Sequence, residues 1–101
     1  MYDLEPAKEK LKKFSELAPE AWHKFKAFDH AAMADGAIPA RTKELMAVAV
    51  ALTTQCIYCI EVHRQRAKDA GCTEAELAET VMVAAALRAG GAVTHGTHCL
   101  E

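Results

Sequence analysis

Glu44-Leu45-Met46-Ala47-Val48-Ala49-Val50-Ala51-Leu52 decides the fold. Beyond its leading glutamate this stretch is apolar almost all round, and a helix of that kind is central and buried. It is not a strand pattern. The chain holds nine Val and Ile in total, and no stretch alternates cleanly with period two. Pro39 or Ala40 opens this helix, which runs to about Leu52 or Thr53, and Thr53-Thr54-Gln55 interrupts it. Upstream, Asp35-Gly36-Ala37 is a break, with Gly36 placed for a left-handed cap. From Glu20 to Ala34 the residues Trp22, Phe25, Phe28, Ala32 and Met33 form an apolar stripe, expected in a core or an interface. Pro19 sits where a helix accepts proline at its first position. Pro6 to about Leu17 is a charged amphipathic segment with Leu11, Phe14 and Leu17 on its apolar side.

Downstream, a fourth helix begins near Cys56 and runs to Ala70, ended by Gly71. Thr73-Glu74-Ala75-Glu76 reads as a capping box. It starts a fifth helix through Leu87 or Ala89, with Gly90-Gly91 as its stop and Ala92 to Glu101 as a short helix or tail. The expected fold is therefore all-α, a bundle of five to six helices in one domain over 1–101.

Composition bounds the function. The chain has 101 residues, 51% apolar, 26% charged and 6% aromatic, with a net charge of −2. Such a chain is an ordinary globular one, and it lacks the broad basic field that nucleic-acid binding needs. The longest clean apolar run, Leu45 to Leu52, is far short of the ~20 residues that span a bilayer, and the N-terminus carries no apolar signal core. A cytoplasmic protein with no membrane partner is expected. Alanine supplies 21 of the apolar residues. Small side chains bury little area each, so a domain of this size is expected to take part of its core from other copies of itself.

The four cysteines are Cys56, Cys59, Cys72 and Cys99. Cys56 and Cys59 form a Cys-x-x-Cys pair at a helix start, one turn apart, where two sulfurs can join. Unpaired N–H groups at a helix N-terminus favour thiolate over thiol. His63 follows Cys59 by four residues and shares its face, so the dithiol comes with its own base. Glu44 opens an otherwise apolar helix. Turned inward, its carboxylate needs a partner, and His63 is the attractive one. Each residue also has a plainer role: Glu44 as a first-turn residue favoured by the helix dipole, His63 as a surface histidine, Tyr58 as packing and Cys72 as a bystander near a cap. A zinc site could use Cys56, Cys59 and His63, but three ligands on successive turns of one helix close poorly into a tetrahedron. His95, His98 and Cys99 form a His-x-x-His-Cys run that could approach the dithiol or bind metal.

Ile38-Pro39-Ala40-Arg41-Thr42-Lys43-Glu44-Leu45, the Cys56-x-x-Cys59-x-x-x-His63 segment and Ala89-Gly90-Gly91-Ala92-Val93-Thr94-His95-Gly96 together resemble the AhpD-like family, alkylhydroperoxidases related to carboxymuconolactone decarboxylase. The resemblance spans roughly Phe28 to Gly96. It implies an all-helical fold assembled as homotrimers or homohexamers, and peroxidase or thiol–disulfide chemistry without a cofactor. It implies a proton relay of Glu44, Cys56, Cys59 and His63, with Tyr58 standing where the peroxidase members carry histidine. The decarboxylase members lack the dithiol. The expected activity is that of a thiol-dependent peroxidase. In it Cys59 attacks a hydroperoxide, Cys56 resolves the product, and a lipoyl or thioredoxin-like dithiol reduces the pair. Position at the helix start alone would favour Cys56 as the attacking sulfur. One alternative is a disulfide reductase or redox adaptor without efficient peroxidase activity. Another is a metal-binding assembly protein.

Overall fold

A computed structural model describes residues 3–101. Five helices follow one another: α1 (Glu5–Leu17), α2 (Pro19–Met33), α3 (Ala40–Thr54), α4 (Ile57–Asp69) and α5 (Glu74–His95). A 3-10 turn, Gly96–Cys99, follows α5, and no strand occurs among the described residues. The all-α expectation holds.

The helix starts follow local chemistry. Pro6 lies in the first turn of α1, and the Asp3 carboxylate accepts from the Glu5 N–H at 3.1 Å. Pro19 takes the first position of α2, where its missing N–H leaves no bond unmade. Thr73 and Glu76 form the capping box of α5. The Thr73 hydroxyl accepts from Glu76 N–H, and the Glu76 carboxylate accepts from Thr73 N–H.

Three glycine readings need correction. Gly36 does not cap α2 in a left-handed conformation; α2 ends at the extended Ala34. Side chains tie this link instead. Asp35 accepts from the Ala40 N–H at 2.7 Å, and Lys43 Nζ donates to the Ala34 carbonyl at 2.6 Å. Gly90 and Gly91 do not stop α5, which runs on to His95. A glycine ends a helix by adopting positive φ, and neither does so here. Inside a helix each costs about 1 kcal/mol relative to alanine, which a long alanine-rich helix tolerates. Carried through the glycines, the helical stretch Glu74–Cys99 is long and apolar enough to cross a bilayer by length and composition, although Glu79 and Arg88 interrupt it.

The residues with positive φ among those described are Gln55 (58°) and Gly71 (91°). They make matching joints. After Gln55 the Cys56 N–H donates to the Ala51 carbonyl at 3.0 Å; after Gly71 the Cys72 N–H donates to the Ala67 carbonyl at 2.9 Å. Each bond closes a helix C-terminus onto its own last turn and points the chain into the next helix.

Helix α3 is the hub, packing along α4 and α5, while α1 packs on α2 and the α1–α2 hairpin touches α3 only lightly. The buried apolar residues are Val48, Ala51, Ala67, Cys72 and Ala84, all small. Thus α3 is apolar all round but covered on one side, with Met46 and Val50 exposed on the other. The aromatic stripe is likewise not a core within the chain. Trp22 is half-buried, and Phe25 and Phe28 are exposed. The radius of gyration is 16.5 Å, against about 13 Å for a compact chain of this length.

Candidate functional site

The joint after α3 builds the site. Left-handed Gln55 turns the chain sharply, so Cys56 becomes the N-cap of α4 and Cys59 lies in its first turn. Their Cα atoms are 5.3 Å apart, and the two sulfurs are joined as a disulfide. Cys56 Sγ also accepts from the Cys59 N–H at 3.3 Å. A sulfur thus takes the capping place usually held by a serine or aspartate oxygen. That donor would stabilise negative charge on Cys56 when the bond is open.

One turn further along α4, on the same face as Cys59, stands His63. Its Nδ1–H donates to Glu44 Oε2 of α3 at 2.7 Å, and the two side chains are only 18% and 13% exposed. The inward Glu44 therefore has the partner its position called for. A carboxylate can only accept, so it holds the proton on Nδ1 and leaves Nε2 as the lone-pair nitrogen. The arrangement can move a proton at Nε2 while the carboxylate balances the charge that results.

A second polar contact steadies this geometry. Arg41, one turn before Glu44 on α3, donates through Nη2 to Glu76 Oε1 at 2.6 Å and to the Gly71 carbonyl at 3.3 Å. The arginine, helped by the Thr73 N–H, pulls the Glu76 carboxyl down to about 2. The same contact raises Arg41 further above its ordinary range. This clamp pins the start of α3 to the α4–α5 corner. Sequence reasoning assigned Arg41 no partner, because its acceptors lie 30 and 35 residues away.

The remaining candidates are dispersed. Tyr58 is half-buried on α4 between the two cysteines. Cys72 is buried, with its sulfur 3.9 Å from the Arg41 carbonyl at the start of α3. His95, the last residue of α5, and His98 of the 3-10 turn meet edge to face at 5.0 Å, both exposed, and Cys99 is exposed too. Among the described residues, no group of three or more His, Cys, Asp or Glu side chains converges to hold a metal ion.

The sequence model of the carboxymuconolactone decarboxylase family matches residues 19–101. Uncharacterized protein 4 in the cox locus of Paracoccus denitrificans is 46% identical over 76 residues, covering 75% of this chain and 68% of that protein. A Haemophilus influenzae protein is 41% identical over 59 residues, covering 55% of this chain and 52% of its own length. The crystal structure of a Methanobacterium thermoautotrophicum protein superposes with a TM-score of 0.81 at 38% identity, covering 87% of this chain and 99% of that one. A carboxymuconolactone decarboxylase family protein from Legionella pneumophila superposes with a TM-score of 0.78 at 36% identity, over 82% of this chain and 74% of that one.

Proposed function

The chain belongs to the carboxymuconolactone decarboxylase family, and within that family we propose that it is a cytoplasmic thiol-dependent peroxidase cycling the Cys56–Cys59 pair. The observation that carries the reading is the 2.7 Å bond from His63 to Glu44, beside a dithiol already closed as a disulfide. A carboxylate only 13% exposed that fixes the histidine's tautomer suits a histidine that moves a proton at its other nitrogen.

In the reduced enzyme His63 Nε2 takes the proton of Cys59, and Glu44 balances the imidazolium. The Cys59 thiolate attacks the outer oxygen of a hydroperoxide. The O–O bond breaks, the departing oxygen takes a proton from His63 and leaves as an alcohol or water, and Cys59 becomes a sulfenic acid. The Cys56 thiol condenses with it, releasing water and forming the disulfide. An external dithiol, lipoyl or thioredoxin-like, then attacks Cys56 Sγ, its thiol proton passing to His63 Nε2, and Cys59 leaves and takes that proton from His63. The second thiol of the reductant displaces Cys56 and carries the disulfide away. The pair is restored with two electrons taken up.

Single-cysteine variants test the assignment. Cys56→Ser should still form a sulfenic acid with peroxide, trapped by a dimedone-type reagent, whereas Cys59→Ser should form none. The opposite pattern would reverse the two roles. Loss of no thiols from the reduced wild type under mild peroxide would end the peroxidase reading.

Tyr58 supports a second reading. It replaces the histidine expected before the second cysteine and brings no second base, which suits a disulfide reductase whose oxidant is another disulfide. Stopped-flow oxidation by a hydroperoxide and by a small disulfide separates the two. A peroxide rate no faster than that of a free thiol, with rapid disulfide exchange, would favour the reductase.

A further inference from the structure

The His-x-x-His-Cys run at the end of α5 takes no part in the chemistry proposed for the dithiol. His95 is the last residue of α5 and also the N-cap of the 3-10 turn Gly96–Cys99, with backbone angles φ −67° and ψ −31° that continue the helix. His98 lies three residues on, inside that turn. In a 3-10 turn the side chains at i and i+3 stand over one another. The two imidazoles accordingly meet, with ring centres 5.0 Å apart and planes inclined at 63°. Both residues are exposed.

That separation matches a chelate. An imidazole nitrogen binds zinc at about 2.0–2.1 Å, which puts the ion about 3.2 Å from the ring centre. Two such rings, meeting at the ion at about 90–109°, have centres about 4.5–5.2 Å apart. Turning the rings about χ2, a soft torsion in histidine, aims one nitrogen of each at a common point without moving the backbone. Neither ring is otherwise engaged. His23 and His63 each donate through Nδ1, to the Pro19 carbonyl and to Glu44, whereas His95 and His98 have no hydrogen-bond partner among the described residues. Nor are they needed as helix caps. The Gly96 N–H donates to the Ala92 and Thr94 carbonyls, the Thr97 hydroxyl to the Thr94 carbonyl and the Leu100 N–H to the Thr97 carbonyl. Between Arg88 and Glu101 the chain carries no Lys, Arg, Asp or Glu. That stretch holds no ammonium to repel an ion, and no carboxylate oxygen of the kind calcium and magnesium prefer. The C-terminal end of α5 adds a partial negative charge that favours a cation.

We propose that His95 and His98 together chelate a divalent ion of the imidazole-preferring class, copper(II), nickel(II) or zinc(II). Cys99 is free and exposed, but no third side chain converges on the pair, so water fills the remaining positions. The ion fastens the 3-10 turn onto the last turn of α5. The inference stands apart from the redox reading, since it uses none of Glu44, Cys56, Cys59 or His63.

The test is isothermal titration of zinc(II) chloride into the full chain with the Cys56–Cys59 disulfide closed, so that those sulfurs cannot compete. One zinc per chain should bind, and magnesium(II) should not. His95→Ala and His98→Ala should each weaken binding about a hundredfold, because one imidazole alone loses the effective concentration of the second. His30→Ala, at an exposed position of α2, and Cys99→Ser should leave the affinity as it is. In NMR spectra of the wild type, zinc should move the ring signals of His95 and His98 and leave those of His23, His30 and His63 in place. No binding would overturn the proposal, since edge-to-face packing would then be the whole reason for the contact. Binding that survives both histidine variants would overturn it too, as would binding lost with Cys99→Ser or one zinc shared by two chains.

Discussion

Replacing Glu44 by glutamine probes the site with the smallest change of shape. The amide oxygen can still accept from His63 Nδ1–H at the same place, so the ring keeps its tautomer and orientation. What disappears is the negative charge facing an imidazolium. A hydrogen bond to a charged group contributes about 1.5–3 kcal/mol, and one between neutral groups about 0.5–1.5. The 2.7 Å length and the 13% and 18% exposures put the wild-type pair in the charged class, little screened by water. The loss is felt most when His63 holds the extra proton, and if the whole difference of about 1–2 kcal/mol arises there it sets an upper bound on the rate loss of about 5–30-fold. The assay is single-turnover oxidation of the pre-reduced protein by an organic hydroperoxide, followed as loss of thiols in a stopped-flow instrument. Removal of the base itself, His63→Ala, should cost about 10²–10⁴-fold. The ordering wild type, Glu44→Gln, His63→Ala is the content of the prediction. A Glu44→Gln rate within about twofold of wild type would show that the carboxylate is no part of the relay. A rate as low as that of His63→Ala would show that glutamine has misplaced the ring.

Two further predictions concern what holds the site in place. Glu76 titrates near 2 when folded and near 4.5 otherwise, so its contribution is full above about pH 4.5 and is lost as pH falls toward 2. The Arg41→Ala variant should therefore lose less stability than wild type over that range in denaturant titrations, and equal losses would show that the clamp does not couple to folding. Ala67 is fully buried, so Ala67→Leu should overpack α4 and lower stability by roughly 1–3 kcal/mol. The same change at exposed Ala78 should move the denaturation midpoint little, and equal effects at the two positions would refute the packing described.

The helix starts were legible because they are written in neighbouring residues: Pro19, the Thr73–Glu76 box and the break before Ala40. Glycine stops were less so. The same residue type turns the chain at Gly71 and rides inside a helix at Gly90 and Gly91. The difference lies in φ, which depends on what the flanking turns can bury. Within the site, the cysteine spacing and the i,i+4 relation of Cys59 to His63 are local and could be read directly. The Glu44–His63 bond spans 19 residues and depends on how α3 and α4 cross. That crossing is set by a left-handed Gln55, a conformation that glutamine does not advertise. Arg41 was silent for the same reason. The exposed Phe25 and Phe28 carry an ordinary core signal, because periodicity reports that a face is apolar and not which chain covers it.

The buried set of Val48, Ala51, Ala67, Cys72 and Ala84 has a consequence for how this protein responds to dilution. Side chains this small supply little of the hydrophobic free energy that must offset the ordering of a hundred residues. If the aromatic hairpin finds its cover on a neighbouring chain, association and folding become one equilibrium governed by mass action. For a two-chain assembly each tenfold drop in concentration then removes about 1.4 kcal/mol. The melting temperature would rise with the amount of protein in the tube. The proton relay between α3 and α4 would be best assembled where the chain is abundant, so specific activity would itself depend on concentration.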